Sequence, residues 1–428
     1  MERAMSRHLG AMARKVTVGA IALGAVAACV ATTAVASTST KGPSVDVWCA
    51  APINTPAASA PQRCSGAAAA FRYIDSHGGI GKLHQKVVMK VCNTNFTPTG
   101  EIQCGQETTS DKSGIAMVGP ITILSTATFM ANMQAAGMPV INAAVSDPTI
   151  ETDSVSFPLG SENFAPAACA VLTAEAVKAK TVGFAETSNP SGIAETNAAV
   201  TALPAFGFTE AGNVQFPITA ASLSPYVEQL SQNKPQVTVL TASPQDVGGW
   251  LSTAASLGVH GPLCVQDALV DAQVLAGLGG AALNFYTAAN LPDVDSTAYP
   301  LLAAFRKQAA AEVASGDATA STGPDNNGVE VLAGWLGAQV VIQGAAKVNG
   351  AVTHAKLLAA LNHLTATFGT GKGAILPPIN FAKPNPNHAY PRLFNTREFL
   401  KEWDPTTQKF LTITRIKPVE GDKIVPSS

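Results

Sequence analysis

The sequence carries little charge and no excess of either sign. Charged residues are 13% of the chain and the formal net charge is −2. That balance gives no reason to expect nucleic acid or an anionic bilayer as a partner. Catalytic signatures are missing as well. No Gly-x-Ser-x-Gly elbow, His-Glu-x-x-His pair or complete phosphate loop occurs. The run Gly369-Thr370-Gly371-Lys372-Gly373 lacks both the first glycine spacing of such a loop and its hydroxyl after lysine. Neither Cys-x-x-Cys nor His-x-His spacing is present, and the seven histidines are scattered, so no metal or cofactor is expected. Beyond the first thirty residues no apolar run is clean enough to span a bilayer. The best, residues 329–348, is interrupted by Glu330, Gln339, Gln343 and Lys347 and reads as a long buried helix.

What is present begins with an export signal. Arg3, Arg7, Arg14 and Lys15 precede an apolar run, residues 16–28, too short to cross a membrane comfortably. Cleavage after Ala34-Val35-Ala36 would release residues 1–36. Alternatively, Val26-Ala27-Ala28-Cys29 resembles a bacterial lipobox, which would remove residues 1–28 and lipidate Cys29. The product is exported on either route: extracellular, periplasmic, or lipid-anchored on the outer face of the cytoplasmic membrane. About 390 residues remain, roughly two domains. A hydrophobic fraction of 46% suits sizeable cores. Six cysteines survive processing: Cys49, Cys64, Cys92, Cys104, Cys169 and Cys264. An even count in an exported chain argues for disulfides, whose pairing sequence leaves open. The shortest loops would join Cys49 to Cys64 and Cys92 to Cys104, leaving Cys169 with Cys264.

Residues 115–148 show how the chain is organised. A short apolar run ends at Gly119-Pro120, a helix closes at Gly137, and Pro139-Val140-Ile141 starts a second strand. Both loops at the strand ends carry small or hydroxyl residues: Thr122, Ser125 and Thr126, then Ala143, Ala144 and Ser146. In an open parallel sheet that edge is where ligands bind. Strands at residues 45–49 and 86–92 and helices near residues 64–74 and 101–113 precede this unit, giving a β-α-β-α-β-α-β order. A crossing segment near residues 157–161 follows, and a second α/β series runs from residue 166 to 288. Helices then fill residues 299–364. The proline-rich residues 377–391 read as another crossing, a hairpin turns around Asp404-Pro405, and residues 419–428 read as a frayed tail.

Three local patterns carry a family resemblance: GAAAAFRYIDSHGGIG at residues 66–81, the Gly119-Pro120 to Gly137-Met138-Pro139 spacing, and VIQGAAKVNGAVTHAKLLAAL at residues 341–361. Together they resemble the type I periplasmic solute-binding proteins of ABC transporters, in the group similar to the Leu/Ile/Val-binding protein. The resemblance implies an α/β fold of two Rossmann-like lobes with parallel sheets joined by three hinge crossings. Lobe 1 would hold residues 45–158 plus 288–378, and lobe 2 residues 159–287 plus 379–418. It further implies a monomer that closes on a small-molecule ligand and is then recognised by an ABC permease in the membrane.

The same resemblance assigns ligand positions unevenly. The family serine four residues after the glycine of Gly-Pro is Ile123 here, with Thr122 and Ser125 as neighbours able to substitute. Ser146 falls on the family's threonine and Ala144 on the small residue whose backbone meets the ligand. In the second lobe the usual aromatic is replaced by Asn189-Pro190-Ser191, and Asp267 falls near the acidic residue that pairs with a ligand ammonium. Plainer roles stand beside these. Serines satisfy loop backbones, and Asp267 is a favoured helix N-cap. Trp48, Trp250 and Trp335 suit the core, and Glu107 and Asp111 suit a solvated helix face. The expected function is delivery of an amino acid, amide or related organic acid to an ABC importer, without catalysis. Sensing through a separate membrane receptor and hydrolysis by a cleft serine are the alternatives.

Overall fold

The computed structural model describes residues 42–55, 59–144, 147–160, 164–218, 220–266, 272–323, 328–386, 390–395, 397–413 and 419–420. The signal region, both of its exits and Cys29 lie outside the described residues.

The first sheet is wholly parallel, in the order β2-β1-β3-β4-β5. Its strands are β1 (Val45–Ala51), β2 (Val87–Asn93), β3 (Gly114–Val118), β4 (Val140–Ile141) and β5 (Ser156–Phe157). Helices α1 (Gln62–Ser76), α2 (Pro98–Ser110), α3 (Thr126–Ala136) and α4 (Thr149–Thr152) connect them. Every residue of β3 is buried, as expected of a central parallel strand covered on both faces. Gly137 ends α3 at φ 62°, a left-handed position that costs glycine nothing.

The second series supplies α5 (Ala165–Val177), β6 (Thr181–Thr187), α6 (Pro190–Ala202), β7 (Thr209–Phe216), α7 (Ser224–Gln232), β8 (Val237–Thr241), α8 (Pro244–Ser256), β9 (Leu263–Gln266), α9 (Ala272–Leu278) and β10 (Phe285–Ala289). The chain then returns to the first lobe with α10 (Pro300–Ala314), α11 (Gly328–Lys347), α12 (His354–Leu361) and the short pair β11 (Thr365–Ala366) and β12 (Ile379–Asn380). It ends in the second sheet with β13 (Arg397–Asp404) and β14 (Lys409–Thr412). That sheet runs β14-β13-β10-β9-β8-β6-β7, parallel from β10 to β7 and antiparallel at β13 and β14.

α11 is long and apolar enough to cross a membrane by length and composition, yet it is largely buried against α1. The two helices meet backbone to backbone at two glycines. A Cβ on Gly66 would lie 1.9 Å from the Val331 carbonyl oxygen, and one on Gly334 1.8 Å from that of Arg63. The two shortest loops are closed, Cys49 with Cys64 and Cys92 with Cys104, and the remaining pair, Cys169 and Cys264, forms the third disulfide.

Three segments cross between the sheets, and they pack side by side. Phe157 meets Phe381 edge to face at 5.2 Å, and Phe381 meets Phe394 at 5.0 Å. The Arg392 guanidinium lies over Phe157 and Phe394, while its Nε donates to the Ser156 carbonyl at 2.7 Å. Asn395 Nδ2 donates to the Leu159 carbonyl at 2.9 Å. Asn290, from the second crossing, sits against Gly160, where a Cβ would come within 1.7 Å of its Nδ2.

Some expectations need correction. The proline-rich segment contains a strand: Ile379, buried between Pro378 and Asn380, pairs β12 with β11 across Ala366. The tail begins with a bridge, Val419 and Glu420 pairing with Glu398 and Arg397. Asp111 is not a solvated helix residue. It follows the end of α2 and accepts from Trp48 Nε1 and Lys90 Nζ, both at 2.8 Å, so Trp48 is half-buried at a polar contact. Trp250 and Trp335 are core residues.

Candidate functional site

The loops at the carboxyl ends of β3 and β4 lie beside each other, joined where the Ala144 amide donates to the Pro120 carbonyl at 2.8 Å. Gly119, at φ 62°, turns the first loop back over Arg63 of α1. Thr122 is fully buried, and its carbonyl accepts the Thr126 hydroxyl. Ser125 stands at the N-cap of α3 without a side-chain cap bond.

Glu101 performs that capping instead. Its Oε1 accepts from the amides of Ile123 at 2.9 Å and Leu124 at 3.1 Å. Its Oε2 accepts from Ser125 at 2.6 Å and Leu124 at 3.1 Å. Burial pushes this carboxyl above its ordinary value, and the three amides pull it back only in part. Gly100 makes the placement possible: a Cβ there would lie 2.0 Å from the Thr94 carbonyl oxygen.

Among the described residues, a hydroxyl of the second lobe reaches this loop. Ser191, in the first turn of α6, donates to the Ile123 carbonyl at 2.9 Å. Asn189 caps the same helix by accepting from the Gly192 amide at 2.9 Å.

Nearer the crossings, a recess partly open to solvent lies between the lobes. Arg63, Glu330 and Ala333 line it from the first lobe, Ala165, Gln266 and Glu398 from the second, and Asn290 from a crossing. Arg63 and Glu330 form a buried ion pair, with Nη2 to Oε1 at 3.1 Å, and Arg63 Nη1 donates to the Asn142 carbonyl at 3.2 Å. Two carboxylates, Glu330 and Glu398, thus face the recess with one guanidinium.

The structure brings Thr122, Ser125, Ala144 and Ser191 to one edge. Ser146 and Asp267 lie outside the described residues, though Gln266, next to Asp267, lines the recess. Sequence reasoning missed Glu101, Arg63, Glu330 and Glu398. A usable signal existed for two of them: Arg63 stands at the head of an otherwise Ala-rich helix, and Glu330 interrupts the apolar run of α11. No group of three His, Cys, Asp or Glu side chains that could hold a metal occurs among the described residues.

Two sheets joined by three packed crossings, with strand ends facing each other over a recess, define the type I solute-binding fold. The chain belongs to the periplasmic binding protein family, whose model matches residues 51–389. It falls in the type I group that includes Leu/Ile/Val-binding proteins, and the family implies an extracytoplasmic location. No curated protein matches the sequence. Among solved structures, the chain is similar to a possible leucine/isoleucine/valine-binding protein from Rhodopirellula baltica SH 1, at TM-score 0.73 and 14% identity over 88% of this chain and 98% of that one. It is similar also to a fatty acid ABC transporter substrate-binding protein from Thermomonospora curvata, at 0.72 and 15% over 90% and 95%. A third is an ABC transporter solute-binding protein from R. palustris in complex with benzoate, at 0.66 and 14% over 88% and 98%. At these identities the likeness shows the fold alone.

Proposed function

We propose that the chain is an exported solute-binding protein that delivers a small polar ligand, an amino acid, amide or related organic acid, to an ABC importer by hinge closure. The observation that carries this reading is the recess between the lobes beside the three packed crossings. Charged and polar side chains from both lobes line it. A solute touching both lobes stabilises the closed arrangement relative to the open one, and only that difference shifts the population. The permease then recognises the closed form, with the binding protein acting as a monomer and without turnover. The assignment rests on residues 45–158 plus 288–378 as one lobe and 159–287 plus 379–418 as the other. Ser146 and Asp267 are ligand contacts in this reading, on the family resemblance. Residues 1–36 serve as a signal peptide, or residues 1–28 as a lipoprotein signal ending at Cys29. The similar folds whose names mention leucine-type amino acids, a fatty acid and benzoate support a small organic solute without selecting one.

A thermal-shift screen of amino acids, amides and organic acids on the purified chain tests the reading. A true ligand at about 100 times its Kd stabilises the protein by roughly 2.7 kcal/mol. A screen in which no solute shifts the transition counts against it. Asp267→Asn should weaken an amine-bearing ligand, and an unchanged affinity would remove Asp267 from the site.

A further inference from the structure

The loop from α11 to α12 carries an exposed Asn-Gly pair, Asn349-Gly350. In such a pair the backbone amide can reach the preceding side chain, because glycine has no Cβ to block the approach. Gly350 holds φ 78°, and among the described residues its N–H makes no hydrogen bond. Two ammonium groups flank the pair. Lys82 Nζ, from the turn between α1 and β2, donates to Asn349 Oδ1 at 2.6 Å. Lys356 Nζ, from α12, donates to the main-chain carbonyls of Asn349 and Ala351, both at 3.4 Å. The rest of the loop is held in place. The buried Val352 amide donates to Gln85 Oε1 at 2.6 Å, and Thr353 caps α12 by accepting from the Lys356 amide at 3.4 Å.

We propose that Asn349 is a modification site, where the chain converts its own side-chain amide to aspartate and isoaspartate with water as co-reactant. The Gly350 N–H gives its proton to solvent hydroxide, and the nitrogen attacks the Asn349 side-chain carbonyl carbon. A C–N bond forms, and the negative charge that develops on Oδ1 falls beside the Lys82 ammonium. The intermediate collapses by expelling the side-chain nitrogen, which takes a proton from water and leaves as ammonia. Water then opens the cyclic imide at either carbonyl, giving the two acids. Lys356 acts on the nucleophile. Its charge beside the Asn349 main-chain carbonyl stabilises the deprotonated peptide, so the Gly350 nitrogen is more readily available. The product carries one more negative charge, which Lys82 is placed to pair. The site lies by the turn that leads into β2, at the opposite edge of the first sheet from the recess loops. It is therefore independent of the solute-binding reading.

The test incubates the full purified chain in mildly alkaline buffer and follows its tryptic peptide of residues 348–356 by mass spectrometry. Asn349 is the only asparagine in that peptide, so an amide-to-acid mass gain there reports on it alone. Wild type should accumulate two new chromatographic peaks of the same higher mass, the aspartate and isoaspartate forms. Lys82→Met should slow their appearance roughly twofold to fivefold, the worth of an exposed ammonium contact, and Lys82→Arg should keep most of the rate. Concentrated sodium chloride should slow wild type more than it slows Lys82→Met, because it screens the contact that the variant lacks. Lys356→Met should slow the conversion as well, read in the longer peptide that then runs to Lys372. Both lysines are exposed, so these variants keep the fold. An unmodified Asn349 in the folded chain, under conditions that convert a synthetic peptide of residues 348–356, would overturn the proposal. A Lys82→Met variant that converts as fast as wild type, or faster, would overturn it too, since the lysine would then pin the side chain instead of activating it.

Discussion

Asp111 takes hydrogen bonds from Trp48, Lys90 and the Ser113 amide. Burial alone would raise its carboxyl, but these bonds outweigh it and hold the value at about 2. A depressed carboxyl contributes stability above its unfolded value of 3.8 and loses it as pH falls to about 2. Asp111→Asn is therefore expected to lower the melting temperature near neutral pH and to flatten the acid limb between about 4 and 2. An acid limb parallel to wild type would contradict the arrangement. Ser191 makes a second prediction at this scale. Its bond to Ile123 has a net worth of about 0.5–1.5 kcal/mol, so Ser191→Ala should shift the open–closed ratio by up to about tenfold. A larger radius of gyration in scattering of the unliganded variant would show it. Residues at this scale were the hardest to read from sequence. Asp111 and Glu101 look like ordinary helix acids, because their partners lie on other elements and no local spacing points to them.

Between elements, the contact of α1 with α11 depends on Gly66 and Gly334. Helix propensity alone favours Gly334→Ala by roughly 1 kcal/mol. The added Cβ, however, would fall 1.8 Å from a backbone oxygen that no rotamer change can move. Overpacking of that kind costs about 1–3 kcal/mol or more, so the clash wins. Gly334→Ala should lower the urea midpoint at unchanged slope, and a raised midpoint would mean that the helices lie further apart. Elements of this length were legible: the apolar run of α11 and the glycine ending α3 have local causes in the sequence. β12 was not, because a two-residue strand between prolines has no periodicity to read and exists only through its pairing with β11. The tight α1–α11 approach was hidden too, since glycine in an Ala-rich helix gives no sign of what it faces.

At the scale of the molecule, each disulfide stays within one lobe, so none restrains the hinge. Cys49–Cys64 and Cys92–Cys104 tie the first lobe, and Cys169–Cys264 ties α5 to β9 in the second. Mass spectrometry should find six free thiols only after reduction. Cys169→Ser with Cys264→Ser should cost about 2–4 kcal/mol of stability. Solute affinity at low temperature should stay the same. The two-lobe order was readable because alternating strands and helices constrain topology strongly. The cleft was readable only in part, because its charges come from two helix starts and a strand start far apart in the chain. The most direct measurement is small-angle X-ray scattering of the purified chain with and without a saturating solute from the screen. Hinge closure predicts a smaller radius of gyration and a more compact distance distribution on binding. Superimposable curves at saturation would contradict it.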